Sequence, residues 1–326
     1  MQTNQIQTGK TIIILGAAGR IGDAAAQAFL EAGWHVKGVA RNAKAATLRQ
    51  GVEVVEADAY ERQSLIKAVE GADVILNALN PKYTEWETTV MPLAENVMAA
   101  VEATGALHLF PGNVYNFGHS ISINTAEDAA QVASTSKARI RMDVEELFRE
   151  RAETRGVRTI ILRGGDFYGG TKPESWLDLI ILKGLKKNVF TWPGPSNLPH
   201  AFAYLPDFAR AFVAVAETRA RLQPFERFHF AGHTLTGEQM YQAAEQATGR
   251  KLRFKTMGWT MPKLLGLVMP IMREVTTMSY LWRTPHSLDG TKLERFCGPL
   301  DSTLPAEAIG AAISDLNLDG AQKRAA

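Results

Sequence analysis

The sequence is almost without cysteine. Cys297 is the single cysteine among 326 residues, which excludes an intramolecular disulfide and a cysteine-ligated zinc cluster. So few thiols are typical of a reducing compartment, and the polar segment 1–10 lacks the apolar core of a secretory signal. We therefore expect a cytoplasmic protein.

Long apolar runs are also missing. The most apolar later stretch, residues 257–272, is interrupted by Pro262, Lys263 and Pro270, so no membrane-spanning helix is expected. The stretch 257–278 predicts two short core helices of a smaller lobe, broken at the two prolines. The alternative is a flexible apolar lid that admits a bulky or hydrophobic substrate.

The sequence also lacks an excess of charge of either sign. Lysine and arginine number 36 against 34 aspartates and glutamates, a net charge of +2, and this balance gives no reason to expect nucleic acid. The histidines lack metal-ligand spacing, so no metal site is expected. The absence of a Gly-x-Ser-x-Gly motif argues against a hydrolase. The expected partner is a small-molecule substrate, with neither nucleic acid nor membrane.

What the sequence does contain is a glycine-rich turn between a strand and a helix. The β-branched run 11–15 predicts a strand buried on both faces, Gly16, Gly19 and Gly22 follow, and residues 23–32 favour a helix. In a dinucleotide site such glycines allow the tight turn, the approach of the pyrophosphate and close helix packing, while the helix N-terminus offers N–H groups to the anion. The predicted cofactor-binding residues of this loop are Gly16, Ala18, Gly19, Arg20 and Ile21.

Strand and helix patterns alternate through the first half of the chain. Further strands are predicted at residues 34–40, 52–55, 74–76, 107–110 and 158–162. This alternation indicates an α/β fold, a Rossmann-type doubly wound parallel sheet. Later, glycine, proline and aromatic residues become denser and only isolated short strands follow, such as residues 225–230. We therefore expect a dinucleotide-binding domain at 1–163 and a smaller α+β lobe at 164–326, mainly substrate-binding, with segments that return to the first domain.

Several motifs resemble the extended and atypical branch of the short-chain dehydrogenase/reductase superfamily, the NAD-dependent epimerase/dehydratase-like proteins. They are the Gly-x-x-Gly-x-x-Gly spacing, the sequence Asn77-Ala78-Leu79 after the fourth strand, and the segments 163–169 and 200–209. The resemblance implies that Asn77, Ala78 and Leu79 lie against the ribose of a nicotinamide cofactor. Helix capping is a sufficient explanation of Asp207.

The adenosine end of the cofactor is expected near the second and third strands. The resemblance implies that Asp58 contacts the adenine, with Ala59 beside it, and the alternative is that Asp58 caps a helix predicted at residues 61–69. Arg41 stands where an NAD site would carry a carboxylate for the ribose hydroxyls, and a guanidinium suits a 2′-phosphate instead. With Arg20 able to reach the same phosphate, we predict NADP rather than NAD.

Catalytic members of the superfamily carry a Ser or Thr after the fifth strand and a Tyr-x-x-x-Lys on the next helix. There the phenol carries the alcohol proton while hydride moves, and the lysine lowers the phenol's pKa. In this sequence the resemblance puts Asn113 at the Ser/Thr position and Lys137 at the lysine, but Ala133 at the tyrosine. The usual acid/base is therefore missing, and Tyr115 lies in the loop nearby.

Three interpretations stay open. The first is an NADP-dependent oxidoreductase acting on a carbonyl or alcohol, with Tyr115 as proton carrier, Asn113 as donor to the substrate oxygen and Lys137 on the ribose. The second is an NADP(H)-binding sensor without turnover. The third gives the proton to Asp166 or a histidine, although His200 is favoured as structural. A nucleotide-sugar epimerase or dehydratase is less favoured, because those reactions usually recruit the tyrosine missing here.

Two of these residues also have purely structural interpretations. Tyr115 can be a packed aromatic beneath the cofactor, and Lys137 can join Arg139 and Arg141 on a solvated cationic helix face. The resemblance implies a homodimer formed by the helices that begin near Thr88 and Arg139.

Overall fold

The computed structural model describes residues 10–41 and 47–320. Residues 1–9, which make up most of the polar N-terminal segment, lie outside the described residues. The strands are β1 (Thr11–Leu15), β2 (His35–Ala40), β3 (Glu53–Glu56), β4 (Val74–Asn77), β5 (Leu107–Gly112), β6 (Thr159–Arg163), β7 (Asp166–Tyr168), β8 (Val189–Trp192), β9 (His200–Tyr204), β10 (Phe225–His229), β11 (His233–Leu235) and β12 (Arg253–Thr256).

Helices α1 to α4 alternate with the first six strands. The α-helices of the described residues are α1 (Arg20–Glu31), α2 (Arg62–Ala68), α3 (Trp86–Thr104), α4 (Ser136–Arg155), α5 (Leu205–Glu217), α6 (Gly237–Thr248), α7 (Thr260–Leu265), α8 (Pro270–Thr277), α9 (Thr291–Cys297) and α10 (Pro305–Asp315). Shorter helical turns lie at Tyr83–Glu85, Val114–Ser120 and Met278–Arg283.

Seven strands form one parallel sheet in the order β10-β6-β5-β4-β1-β2-β3. The chain winds outward from β1 in both directions, so the predicted Rossmann-type sheet is confirmed. The prediction of β10 as an isolated strand was wrong, because it pairs in parallel with β6 at the edge of this sheet. A short apolar run does not reveal in which sheet its partner lies.

Both faces of the sheet are covered, as its apolar strands require. On one face Ile12 and Ile14 belong to a buried cluster with Phe29 of α1 and Phe208 of α5. On the other face Ile13 and Leu15 belong to a buried cluster with side chains of three helices: Leu65 of α2, Val97 and Val101 of α3, and Val144 and Phe148 of α4. Strand β1 is therefore buried on both faces, as predicted.

The smaller lobe has its own core. A three-stranded sheet (β11-β9-β7) and the pair β12-β8 enclose Trp192 and Trp282 together with Ile309 of α10. Helix α5 packs on α1, and β10 joins the main sheet, so parts of the second half contribute to the first. The domain boundary at residue 163 stays a prediction.

The 260–277 hairpin, made of α7, α8 and the turn between them, differs from the prediction of two core helices. Neither helix contains a buried residue. Pro262 lies within α7, and Pro270 is the first residue of α8, a position that tolerates proline because no helical N–H bond is lost there. No helix within the described ranges is long and apolar enough to cross a membrane.

The buried His108 of β5 predicts how the stability of the main sheet depends on pH. Its ring is fully buried and its Nδ1 lies 3.1 Å from Thr159 Oγ1, and burial lowers the pKa of His108 from 6.5 to about 3. Because the unfolded chain takes up this proton more readily, stability is lost as the pH falls below 6.5. We expect His108→Gln to flatten that loss by up to about 1.4 kcal/mol per pH unit. Urea unfolding at a series of pH values between neutral and acid measures this difference. The prediction is contradicted if the free energy of unfolding falls with pH equally in His108→Gln and in the unchanged protein.

Candidate functional site

A tightly packed glycine turn joins β1 to α1 at the carboxyl edge of the sheet. Gly16 has a φ of +79°, and a Cβ there would lie 2.7 Å from the carbonyl oxygen of Ala78. A Cβ on Gly22 would in turn clash with the carbonyl oxygen of Gly16. Only glycine allows this approach of α1, the turn and the chain after β4. The N-cap of α1 is Gly19, which has no side chain to cap the first turn. This geometry fits a pyrophosphate bound by backbone N–H groups.

The chain after β4 lies directly beside this turn. The Ala78 N–H donates to the carbonyl of Leu15, at 2.9 Å, and the buried Asn77 accepts the Leu79 N–H through Oδ1, at 3.3 Å. The structure thus brings 77–79 and the glycine turn together at the point where β1 and β4 are neighbours. Open parallel sheets bind nucleotides at such a point.

Arg41 and Asp58 follow the neighbouring strands β2 and β3. Arg41 Nη1 lies 3.4 Å from Asp58 Oδ2, and its guanidinium lies over the Tyr60 ring. The alternative that Asp58 caps α2 is wrong, because the N-cap is Glu61 and Asp58 Oδ1 instead accepts the Tyr60 N–H at 3.0 Å. The roles of Arg41, Asp58 and Ala59 toward a cofactor stay predictions.

Arg20 uses its side chain to join the two lobes. Its guanidinium donates to the carbonyls of Phe167 and Glu174, at 3.1 and 2.9 Å, and burial lowers its pKa. A 2′-phosphate would have to compete with both carbonyls for this group. The structure therefore supports a 2′-phosphate contact less for Arg20 than for Arg41, because the Arg41 side chain is exposed.

The candidate catalytic residues meet around Tyr83, which sequence reasoning missed. Tyr115 and Tyr83 share a hydrogen bond between their hydroxyls, and Lys137 Nζ donates to the Tyr83 carbonyl. Burial raises the pKa of Tyr83 to about 12 and that of Tyr115 well above its ordinary value. Asn113 Oδ1 accepts the Tyr115 N–H at 3.0 Å, which fixes the loop between them. No sequence motif marks Tyr83, because its approach depends on the fold of the chain after β4.

Lys137 is buried rather than part of a solvated face, so that interpretation was wrong. Only 2% of its side chain is exposed, and Nζ lies 3.2 Å from Glu274 Oε2 of α8. It also lies over the rings of Tyr83 and Trp86, at 5.4 and 5.3 Å from their centroids. One turn further along α4, Arg141 stacks on Trp86 in the same way. The spacing of four residues between the two cations could have indicated this shared face.

Asp166 and His200 form a second polar pair of this region. His200 Nε2 lies 2.8 Å from Asp166 Oδ2, and the His200 ring stacks on Trp282 at a centroid distance of 4.2 Å. The charge of Asp166 contributes to the raised pKa of Tyr115, after burial and Tyr83, so Asp166 lies on the same side of the site. The packing of His200 fits its expected structural role.

Asp207 does not cap α5 as expected. The N-cap is Tyr204, and Asp207 is buried in the first turn. Its carboxylate accepts the Thr303 N–H at 2.7 Å and the Thr303 hydroxyl at 2.8 Å. Asp207 therefore ties α5 to the segment before α10.

A buried ion pair holds the loop that carries Asn113 and Tyr115. Arg163, at the end of β6, donates from Nη2 to both carboxylate oxygens of Glu145, each at 2.8 Å. Its Nη1 donates to the Asn113 carbonyl and to Asn116 Oδ1. The guanidinium is thus a positioning group for the candidate site.

The fold and the glycine turn together define a Rossmann fold of the short-chain dehydrogenase/reductase type, a fold that binds NAD(P), as the sequence motifs indicated. More specifically, the NmrA-like family profile matches residues 8–308, and the chain belongs to this atypical branch of that superfamily. No curated protein sequence matches the chain.

Solved structures of sugar-nucleotide epimerases are similar in fold. UDP-glucuronic acid 4-epimerase from Bacillus cereus, in complex with NAD, is 16% identical, with a TM-score of 0.72 over 92% of this chain and 96% of that one. UDP-N-acetylglucosamine 4-epimerase from the same organism is 13% identical, with a TM-score of 0.73 over 95% of each chain. UDP-glucose 4-epimerase from Thermotoga maritima is 14% identical, with a TM-score of 0.72 over 93% and 97%. At such identities the likeness shows the fold alone.

The Arg163–Glu145 pair yields a stability prediction. Glu145→Leu leaves a buried guanidinium without its counterion, so we expect the free energy of unfolding to fall by about 3–5 kcal/mol. Glu150→Leu, at an exposed site of the same helix, should change it by less than about 0.5 kcal/mol. Denaturant unfolding of both variants measures the difference, and equal losses would show that the pair does not stabilise the fold.

Proposed function

We propose that the protein binds NADP(H) and transfers a hydride between the cofactor and a carbonyl or alcohol group of a small molecule. The carrying observation is that the glycine turn, with no side-chain cap on α1, and the loop with Tyr115 both follow strands of one sheet at its carboxyl edge. A dinucleotide that extends from the turn past 77–79 would lead toward the Tyr83–Tyr115 pair.

Different residues would hold different parts of the cofactor. The backbone of Gly16, Ala18, Gly19, Arg20 and Ile21 would take the pyrophosphate, and Arg41 would take the 2′-phosphate. Residues 77–79 and Lys137 would contact the ribose of the nicotinamide. When bound, NADPH supplies the hydride that the carbonyl carbon receives.

Tyr115 would supply the proton. Its raised pKa keeps the phenol protonated at neutral pH, which suits an acid that donates from Oη to the carbonyl oxygen as the carbon receives the hydride. The product is an alcohol; the Tyr83 hydroxyl, which is hydrogen-bonded to Tyr115, would pass its proton to the Tyr115 phenolate and regain one from water. Asn113 would direct the substrate oxygen through Nδ2, since its Oδ1 already accepts the Tyr115 N–H.

Lys137 can take part without leaving its present partners. An ammonium group has three N–H donors, and the contacts with the Tyr83 carbonyl and Glu274 use two of them. The third would remain for a ribose hydroxyl. Lys137 makes no contact with the Tyr115 hydroxyl within the described ranges, so we assign it to cofactor binding rather than to lowering the pKa of the phenol.

An NADP(H) sensor is the second candidate. It is favoured by Ala133, which precedes α4 and replaces the usual tyrosine, and by the Glu274 carboxylate, which neutralises Lys137. The family permits this alternative as well as an enzyme. Tight binding of NADPH with no turnover of a broad carbonyl panel would favour the sensor.

Cofactor choice can be tested at Arg41. Arg41→Asp removes the cation proposed for the 2′-phosphate, so we expect the Kd for NADPH to rise about 10- to 100-fold, the loss of one charge-assisted hydrogen bond, with little change for NADH. Titration calorimetry with both nucleotides measures this, with Arg250→Asp in the other lobe as control. An equal loss for both nucleotides would contradict the assignment of NADP.

The proton carrier can be tested at Tyr115. Tyr115→Phe removes the phenol and should lower kcat for NADPH-dependent carbonyl reduction by about 10²- to 10⁴-fold, with NADPH binding retained. Tyr241→Phe is the matched control, because that hydroxyl bonds Glu245 and Leu252 within the smaller lobe. Full activity of Tyr115→Phe would remove the residue from the mechanism.

A further inference from the structure

The 260–277 hairpin presents an apolar tip to solvent. Leu267 is 82% exposed, Val268 is 78% exposed, and both lie in the turn between α7 and α8. The large apolar side chains exposed along the hairpin are Met261, Leu264, Leu265, Leu267, Val268, Met269 and Ile271. Single exposed apolar residues are ordinary on a protein surface, but so many in one short segment mark an interaction surface.

The unpaired charges of the hairpin and of the chain just before it are all positive. Residues 252–273 contain four cations (Arg253, Lys255, Lys263 and Arg273) and no acidic residue, whereas the whole chain has a net charge of +2. These four cations are exposed, and none has an ion-pair partner within residues 10–41 and 47–320. The acidic side chains close to α8 are already paired, Glu274 with Lys137 and Glu85 with Lys82.

The base of the hairpin is anchored while its tip projects. Trp259 Nε1 donates to the Pro193 carbonyl at 2.6 Å, Glu274 pairs with Lys137, and the buried turn Met278–Arg283 follows α8. A projecting apolar tip on a hairpin whose unpaired charges, Lys263 and Arg273, are both positive matches the headgroup region of an anionic bilayer, in which apolar side chains reach the acyl boundary and lysine and arginine meet the lipid phosphates. The apolar side chains alone would match an apolar protein groove, whereas the two unpaired cations of the hairpin also match anionic lipid.

We propose that the 260–277 hairpin is a membrane-contacting surface that docks the protein on anionic lipid. This contact needs no spanning helix, and so it agrees with the lack of one among the described helices. It differs from the expectation of no membrane partner, which considered only the length of apolar runs. The proposal does not depend on hydride transfer.

Vesicle flotation of the full chain tests the proposal. We expect the protein to float with vesicles of phosphatidylcholine and phosphatidylglycerol, less with phosphatidylcholine alone, and less as salt screens the cations. The double variant Leu267→Glu/Val268→Glu should lower apparent vesicle affinity at least about tenfold, since it replaces the inserted side chains with anions. Leu304→Glu, a leucine 63% exposed before α10, is the matched control and should float like the unchanged protein.

Other outcomes would overturn the proposal. It fails if the unchanged protein does not float with anionic vesicles, or if Leu304→Glu reduces flotation as much as the double variant. It also fails if size-exclusion chromatography shows that the double variant turns a dimer into a monomer while flotation is unchanged, because the tip would then contact a second copy. Unchanged NADPH affinity of the double variant separates this surface from the cofactor site.

Discussion

The close approach of three backbone segments at the end of β1 is the constraint on which the site depends. The turn after β1, the first turn of α1 and the chain after β4 meet so closely that a side chain at Gly16 or Gly22 would displace a carbonyl group. That contact is possible because β1 and β4 are neighbours in the sheet. The sheet order therefore determines where an anion can bind, and the glycines leave its surface open.

The candidate catalytic residues depend on a different set of interactions, which are buried charges. Arg163 Nη2 donates to both carboxylate oxygens of Glu145, and Nη1 holds the loop from Asn113 to Asn116. A buried pair of this kind adds little stability compared with apolar packing, but it becomes costly when one partner is lost. Its role here is to fix the polar backbone of a loop whose Val114 and Phe117 are already buried against Tyr280 and Leu281.

The sequence predicted the elements better than their partners. Continuous β-branched runs such as 11–15 are diagnostic of strands buried on both faces, and these strands were found with shifts of one or two residues. The partner of β10 and the exposure of the 260–277 hairpin were not predicted, because a local apolar pattern is the same in a core helix and in a surface helix. Tyr83 and Glu274 were missed for a related reason. Each reaches the site from a segment distant in sequence from Lys137.

The two interpretations of the function differ at the phenol rather than at the lysine. Lys137 has one N–H donor beyond the two that contact the Tyr83 carbonyl and Glu274, and the proposed ribose contact would use it whether or not turnover occurs. For Tyr115, by contrast, burial raises the pKa well above its ordinary value, and the charge of Arg141 lowers it only in part. Such a phenol stays protonated at neutral pH, so it can donate a proton to a carbonyl oxygen but is rarely deprotonated to accept one from an alcohol. An enzyme built on this site would therefore be suited to carbonyl reduction more than to alcohol oxidation, and an epimerase, which needs both directions on one substrate, fits it least.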